Sequence, residues 1–259
     1  MREQKSVLFH VHIPKCAGSS FRSLLQKHFR TRHLNLYVDD THFLFSNEQL
    51  ADAITTNDPI SISSHFVRVF PRMIAGRRIH YVTFLRNPVA QFISYRNYIC
   101  RAFQAIRHPN LLQCLPPQAD KLSSREFARW VLTCSPQDAP FRENYVTNFF
   151  THRENDLVQQ ANRQVTPPRL DAAKSVLDQF LFVGVVERMQ ESYTKLTEVV
   201  SSSGVQLPED SVPVENVSSD VGDSTEWINP DDEVGRLLLA SLQEDLELYD
   251  WARRKTERD

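Results

Sequence analysis

Apolar residues in this chain alternate between two kinds of run. Val7–Ile13, Pro59–Ser63, Ile79–Leu85 and Phe180–Val186 are short, rich in β-branched or aromatic residues, and bounded by turn formers; they read as buried strands. Between them apolar positions recur at helical spacing. The first helix is expected from about Ser19 to Phe29, and a second follows the capping-box pair Ser46 and Gln49. A third opens with Asn87 as N-cap and Pro88 at the first helical position and runs to about Cys100. Ser123 and Glu126 open another to about Thr133, residues 141–162 are mostly helical, and a further helix follows Pro167-Pro168. Met189 to Ser203 is closed by Gly204. The last helix starts at Asn229-Pro230, with Val234, Leu237, Leu238, Leu242, Leu246 and Tyr249 along one apolar face and Arg253, Arg254 and Lys255 near its end. Strands alternating with helices over 1–259 predict a single α/β domain with a central parallel sheet flanked by helices.

Composition adds little to this and charge adds more. The chain has 259 residues, 41% apolar and 24% charged, which is ordinary for a globular protein able to bury a core without disulfides. Its net charge of −2 conceals an asymmetry: residues 1–109 carry 15 Lys and Arg against 6 Asp and Glu, and residues 110–259 carry 15 against 26. A basic front half suits an anionic ligand, or is neutralised by the back half across one fold. Nothing in the balance points to nucleic acid. Cys16, Cys100, Cys114 and Cys134 lack metal spacing and fit a reduced compartment, with a Cys100–Cys114 or Cys114–Cys134 bridge left open. No signal peptide or membrane span is visible, and Asn216-Val217-Ser218 is a sequon that matters only in a secreted chain.

Two segments carry candidate chemistry. Val11-His12-Ile13-Pro14-Lys15-Cys16-Ala17-Gly18-Ser19-Ser20-Phe21 lies where a strand gives way to a helix, so backbone N–H groups and the positive helix end converge on one point. Lys15 adds a charge, Gly18 permits close approach, and Ser19 and Ser20 add hydroxyl donors. It is not a Walker A loop, and by itself it could be an ordinary turn with a surface lysine. In Arg86-Asn87-Pro88-Val89-Ala90-Gln91-Phe92-Ile93-Ser94-Tyr95, Arg86 ends a strand and Ser94 lies two turns into the next helix. Arginine with a hydroxyl suits a phosphate, and a capped helix with an ion-paired arginine is the alternative.

Taken together, these segments resemble the sulfotransferase superfamily, whose donor is 3′-phosphoadenosine 5′-phosphosulfate (PAPS) and whose product is PAP. HIPKCAGSSF resembles the family's 5′-phosphosulfate loop, LRNPVAQFISY its 3′-phosphate motif, and Phe182–Met189 (FVGVVERM) a further run of the uronyl-type carbohydrate O-sulfotransferase branch. The resemblance implies a P-loop-kinase-like layout without a metal. It implies that Lys15, Cys16, Ala17, Gly18, Ser19, Ser20 and Phe21 cradle the 5′ end, that Lys15 stabilises the leaving phosphate, and that Arg86 and Ser94 hold the 3′-phosphate. His65, in Ile62-Ser63-Ser64-His65-Phe66, matches the branch's catalytic base; read alone it is a hydrogen-bonded strand-end histidine. His10 and His12 read as sheet-face residues sharing one side of the first strand.

Two positions depart from the branch: Cys16 stands where threonine is usual, and Asn148 in Glu143–Asn148 replaces an arginine on the acceptor side. PAPS-binding elements are expected mainly in 7–100 and 180–220, and acceptor-side elements in 62–78 and 105–160, with the Pro-rich 107–122 stretch as a lid. Arg68, Arg72, Arg77 and Arg78 could grip an anionic acceptor, but a solvated cluster is the preferred reading. The acceptor is a hydroxyl compound: a carbohydrate, or a bacterial small molecule, lipid or carrier-protein-bound chain. Cytoplasmic location is expected, or the Golgi lumen for an excised domain. The rival readings are a P-loop-like small-molecule kinase and a non-catalytic nucleotide-binding module.

Overall fold

A computed structural model describes residues 6–36, 45–65, 67, 70–105, 121–134, 143–151, 170–209, 212, 229 and 231–258. Strands β1 (Ser6–Val11), β2 (His33–Leu36), β3 (Ser61–Ser64), β4 (Met73–Ile74), β5 (Arg77–Leu85) and β6 (Phe182–Val185) form one sheet. The order is β2-β3-β1-β5, with the short antiparallel β4 and the parallel β6 both pairing β5. The four strands expected from the apolar runs are all present. β2 and β4 were not expected, since each is too short to carry an alternation.

The pleat of β1 sorts the core into two layers. Val7, Phe9 and Val11 face one side, buried with Leu50 and Ile54 of helix α2 (Asn47–Asn57). The same layer holds Phe149 of α5 (Tyr145–Thr151), Leu177 of α6 (Leu170–Leu177) and Leu248 of α9 (Gln243–Arg258). Leu8 faces the other side, with Phe21 and Leu25 of α1 (Gly18–Phe29) and Tyr193 and Leu196 of α7 (Met189–Ser201). A third apolar cluster joins α3 (Pro88–Ala105), α4 (Ser124–Thr133) and α8 (Glu233–Ser241) through Phe92, Phe127, Val131 and Leu238. Both expected capping boxes form, at Ser46–Gln49 and Ser123–Glu126.

The expected single C-terminal helix is broken at Leu242 into α8 and α9. The cause is a reciprocal cap between distant segments. Asn144 Oδ1 accepts from the N–H groups of Glu244 and Asp245 at 3.0 and 3.2 Å, closing the start of α9. Asp245 accepts from the N–H groups of Val146 and Thr147 at 3.0 and 2.7 Å and from the Thr147 hydroxyl at 2.7 Å, closing the start of α5. On α8 the buried stripe is Val234, Leu238 and Leu242, whereas Leu237, expected on that face, is 52% exposed. The helix expected beyond residue 151, residues 107–120 of the expected 107–122 loop and the sequon lie outside the described residues.

Asp245→Ala strands three donors, two of them buried backbone N–H groups, and should cost about 2–4 kcal/mol in urea unfolding. Burial outweighs these hydrogen bonds and lifts the Asp245 carboxyl from its ordinary value to about 6. A carboxyl whose folded-state value is raised holds its proton more tightly when folded. Its contribution therefore falls as pH rises from about 4 to about 6. The stability-versus-pH slope over that window should be more negative for the wild type than for Asp245→Asn.

Candidate active site

The strand order puts a topological switch point between β1, whose chain leaves toward β2, and β5, whose chain continues into α3 on the other side. Open α/β sheets bind ligands at the carboxyl ends of strands at such a point. The Lys15 loop follows β1, Arg86 follows β5 and His65 follows β3, so neighbouring parallel strands deliver all three to one edge.

The loop is strained into shape. Lys15 and Ala17 both have left-handed backbones, with φ of 66° and 55°. The first turn of α1 carries no acidic residue and its N-terminus has no side-chain cap, so it presents the positive end of the helix dipole at the loop. Contacts from β5 and α3 brace it. Arg86 Nη1 donates to the Lys15 carbonyl at 3.3 Å, and Gln91 Nε2 donates to the Pro14 carbonyl at 2.8 Å. Lys15 Nζ lies 4.6 Å from the centre of the Tyr98 ring. Gln91 and Tyr98 are seven residues apart on α3 and therefore share a face; Ser94, three beyond Gln91, lies between them on the side turned to the loop. The two motifs thus form one constellation.

Asn87 caps α3 as expected, its Oδ1 accepting from Val89 and Ala90 at 3.1 and 3.2 Å. The FVGVVERM segment joins here. Glu187 accepts from the Asn87 N–H at 2.9 Å and from the Tyr249 hydroxyl at 2.8 Å, tying α3 and α9 to the site edge.

His65 is held by backbone. Its Nδ1 donates to the His12 carbonyl, and the His12 N–H donates to the Ser64 carbonyl at 2.9 Å. With Nδ1 as donor, the neutral ring carries its lone pair on Nε2, the nitrogen able to take a proton. His10 and His12 share one side of β1 as expected and are both buried, their rings 5.3 Å apart.

Two of the residues expected in the loop, Cys16 and Phe21, are buried. Cys16 is buried in the β1 core and its N–H is spent on the Ile13 carbonyl at 3.2 Å. Phe21 is fully buried and its N–H is spent on the Ala17 carbonyl at 3.3 Å. Both shape the cradle by packing, leaving Lys15, Ala17, Gly18, Ser19 and Ser20 as its nearer members. Arg77 and Arg78 begin β5, about 25 Å from its carboxyl end at strand rise, on the opposite edge of the sheet. Arg77 pairs with Asp58 there, so this part of the basic cluster is remote from the site; Arg68 lies outside the described residues. In Glu143–Asn148, Asn144 and Thr147 serve the reciprocal cap and Asn148 Nδ2 donates to the Glu143 carbonyl at 2.9 Å. Gln91, Tyr98 and Glu187 escaped sequence reasoning as site residues: a polar or aromatic position on an amphipathic helix has no periodicity that marks a loop partner.

An open, mostly parallel α/β sheet with a cationic loop between strand and helix at its switch point defines the class of α/β proteins whose ligand sites lie at the carboxyl ends of the strands. Within that class, residues 1–252 match the sulfotransferase family, and the chain belongs to it. An uncharacterized protein of Archaeoglobus fulgidus is 27% identical over 198 residues, covering 75% of this chain and 73% of that protein. Among the described residues no group of His, Cys, Asp and Glu could hold a metal, and no helix is long and apolar enough to cross a membrane.

Burial pushes the Cys16 thiol well above its ordinary range. Cys16 is a buried free thiol; Cys114, and with it the expected Cys100–Cys114 or Cys114–Cys134 pairing, lies outside the described residues. Peptide-level mass spectrometry after iodoacetamide at pH 8 should find Cys16 unmodified in the folded protein and modified after unfolding.

Proposed function

We propose that this protein is a PAPS-dependent O-sulfotransferase, with His65 as base and Lys15, Arg86 and Ser94 as the principal donor contacts. The observation that carries the reading is the meeting of the Lys15 loop, Arg86 and His65 at the carboxyl ends of three adjacent strands. The donor set fits a ligand with two separate phosphate groups. Lys15, the α1 N-terminus and the hydroxyls of Ser19 and Ser20 suit the 5′ end; Arg86, with several donors in a fixed fork, and Ser94 suit a 3′-phosphate. PAPS, when bound, supplies an activated sulfuryl group on a phosphate leaving group.

The residues divide the work. His65 Nε2 takes the proton of the acceptor hydroxyl as its oxygen forms the new O–S bond. The bond from sulfur to the 5′-phosphate oxygen breaks, and Lys15 with the loop amides stabilises the charge left on that oxygen. The products are the sulfate ester and PAP, and the proton leaves from His65. Little covalent work falls to the protein, so positioning and electrostatics supply most of the acceleration. The acceptor is a hydroxyl compound, with a carbohydrate as the reading the branch resemblance favours.

The test is a PAPS-dependent acceptor screen read by mass spectrometry for an added sulfonate. Transfer with PAPS and none with ATP is expected; turnover with ATP alone overturns the reading in favour of a kinase. Arg86→Ala should weaken PAP binding on the order of 10- to 100-fold in calorimetry, with a much smaller effect on AMP, which lacks the 3′-phosphate. His65→Ala should lower transfer by about 10²- to 10⁴-fold while PAP still binds. Unchanged PAP affinity in the first variant, or full transfer in the second, removes that residue's role.

A further inference from the structure

We infer that His12 is a positioning residue that couples the donor loop to His65, and that residue 18 is glycine to accommodate the His12 ring. The inference rests on the reading of the loop as the donor site and of His65 as the base.

His12 is only 4% exposed and touches both halves of the site. Its backbone is clamped to the end of β3, the N–H on the Ser64 carbonyl at 2.9 Å and the carbonyl on His65 Nδ1. Its ring lies against the His65 ring, with centroids 3.9 Å apart and planes 32° apart. On the other side it stacks on His10 at 5.3 Å and 17°. His10 is itself fixed by the Ser63 hydroxyl at 3.1 Å and by the Phe21 ring edge at 4.8 Å. The His12 ring therefore sits in a column whose outer member is the base.

The contact with the loop comes from Gly18. A Cβ at residue 18 would lie 1.6 Å from His12 Cδ2, 2.0 Å from Nε2 and 2.4 Å from Cγ, distances no side chain can meet without displacing the ring. Gly18 is helical and does not need a positive φ, so its backbone conformation gives no reason for glycine. The first residue of α1 thus rests on the His12 ring, and the His12 ring rests on His65. A ligand that draws the loop and the α1 N-terminus toward itself presses on the ring that sets the plane of the base, while the His12 carbonyl holds that base in the Nδ1–H tautomer.

The proton meant for His65 is not shared along the column. Burial, reinforced by neighbouring His65, His10, Arg22 and Lys15, holds His12 well below the usual histidine range; burial, with His65, His33 and Arg22, does the same for His10. Both inner rings stay neutral, and only half-buried His65 faces the edge where ligands bind.

The test uses the full chain labelled with ¹⁵N-histidine, with PAP as the probe and calorimetry alongside. In the wild type, saturating PAP should shift the His65 ring resonances, and His65 should show the Nδ1–H tautomer. In His12→Asn, PAP affinity should change by less than about threefold while most of the His65 response is lost. Gly18→Ala at saturating PAP should lose the response in the same way by displacing the ring. Added to His12→Asn, where the ring is absent, it should cause little further loss. A full His65 response in both His12→Asn and Gly18→Ala overturns the coupling while leaving the donor site intact. Failure of the wild type to bind PAP overturns the donor reading itself, and the coupling with it.

Discussion

The parallel register of β1 between β3 and β5 is the constraint on which the rest depends. It sets Val11 opposite Ser64 and His10 opposite Val82, so three neighbouring strands end at nearly one level. Each end then emits a functional group: His65 from β3, the Lys15 loop from β1, Arg86 from β5. A slip of one residue in β1 would turn Val7, Phe9 and Val11 out of their layer and carry His10 and His12 to the other face. The hydrophobic layering that stabilises the sheet therefore also sets the geometry of the site.

The loop shows how a strained segment is kept in place. Two left-handed non-glycine residues in three positions cost on the order of 1–3 kcal/mol each and persist only if the surroundings hold them. Buried Cys16 anchors the middle of the turn, Gln91 and Arg86 hold the two carbonyls just before it, and the Tyr98 ring lies near Lys15. These braces come from the end of β5 and from α3, the segment that also supplies the second cationic group. The two motifs are read separately along the chain but behave as one mechanical unit.

Reciprocal capping by Asn144 and Asp245 performs a comparable task. It joins α5 to α9, and Glu187 then joins α9, through Tyr249, to the capped start of α3. The acidic second half of the chain contributes here through individual carboxylates at helix ends. The basic surplus of the first half is divided: Lys15 and Arg86 reach the site edge, whereas Arg77 and Arg78 stand at the far end of β5.

Local patterns determined a good deal of this protein on their own. Four apolar runs gave the principal strands, two capping boxes gave helix starts to the residue, and Asn87-Pro88 marked the start of α3. These features depend on neighbours within a turn, which is why they are legible in one dimension. The candidate groups Lys15, Arg86 and His65 were legible too, because each follows a recognisable strand. Tertiary structure decided what lies between them. The break at Leu242 comes from Asn144, about a hundred residues away. The brace from Gln91 and the inward turn of Cys16 depend on how α3 lies along the loop. The need for glycine at position 18 arises from a ring on the preceding strand, a contact set by chain packing rather than by any local preference.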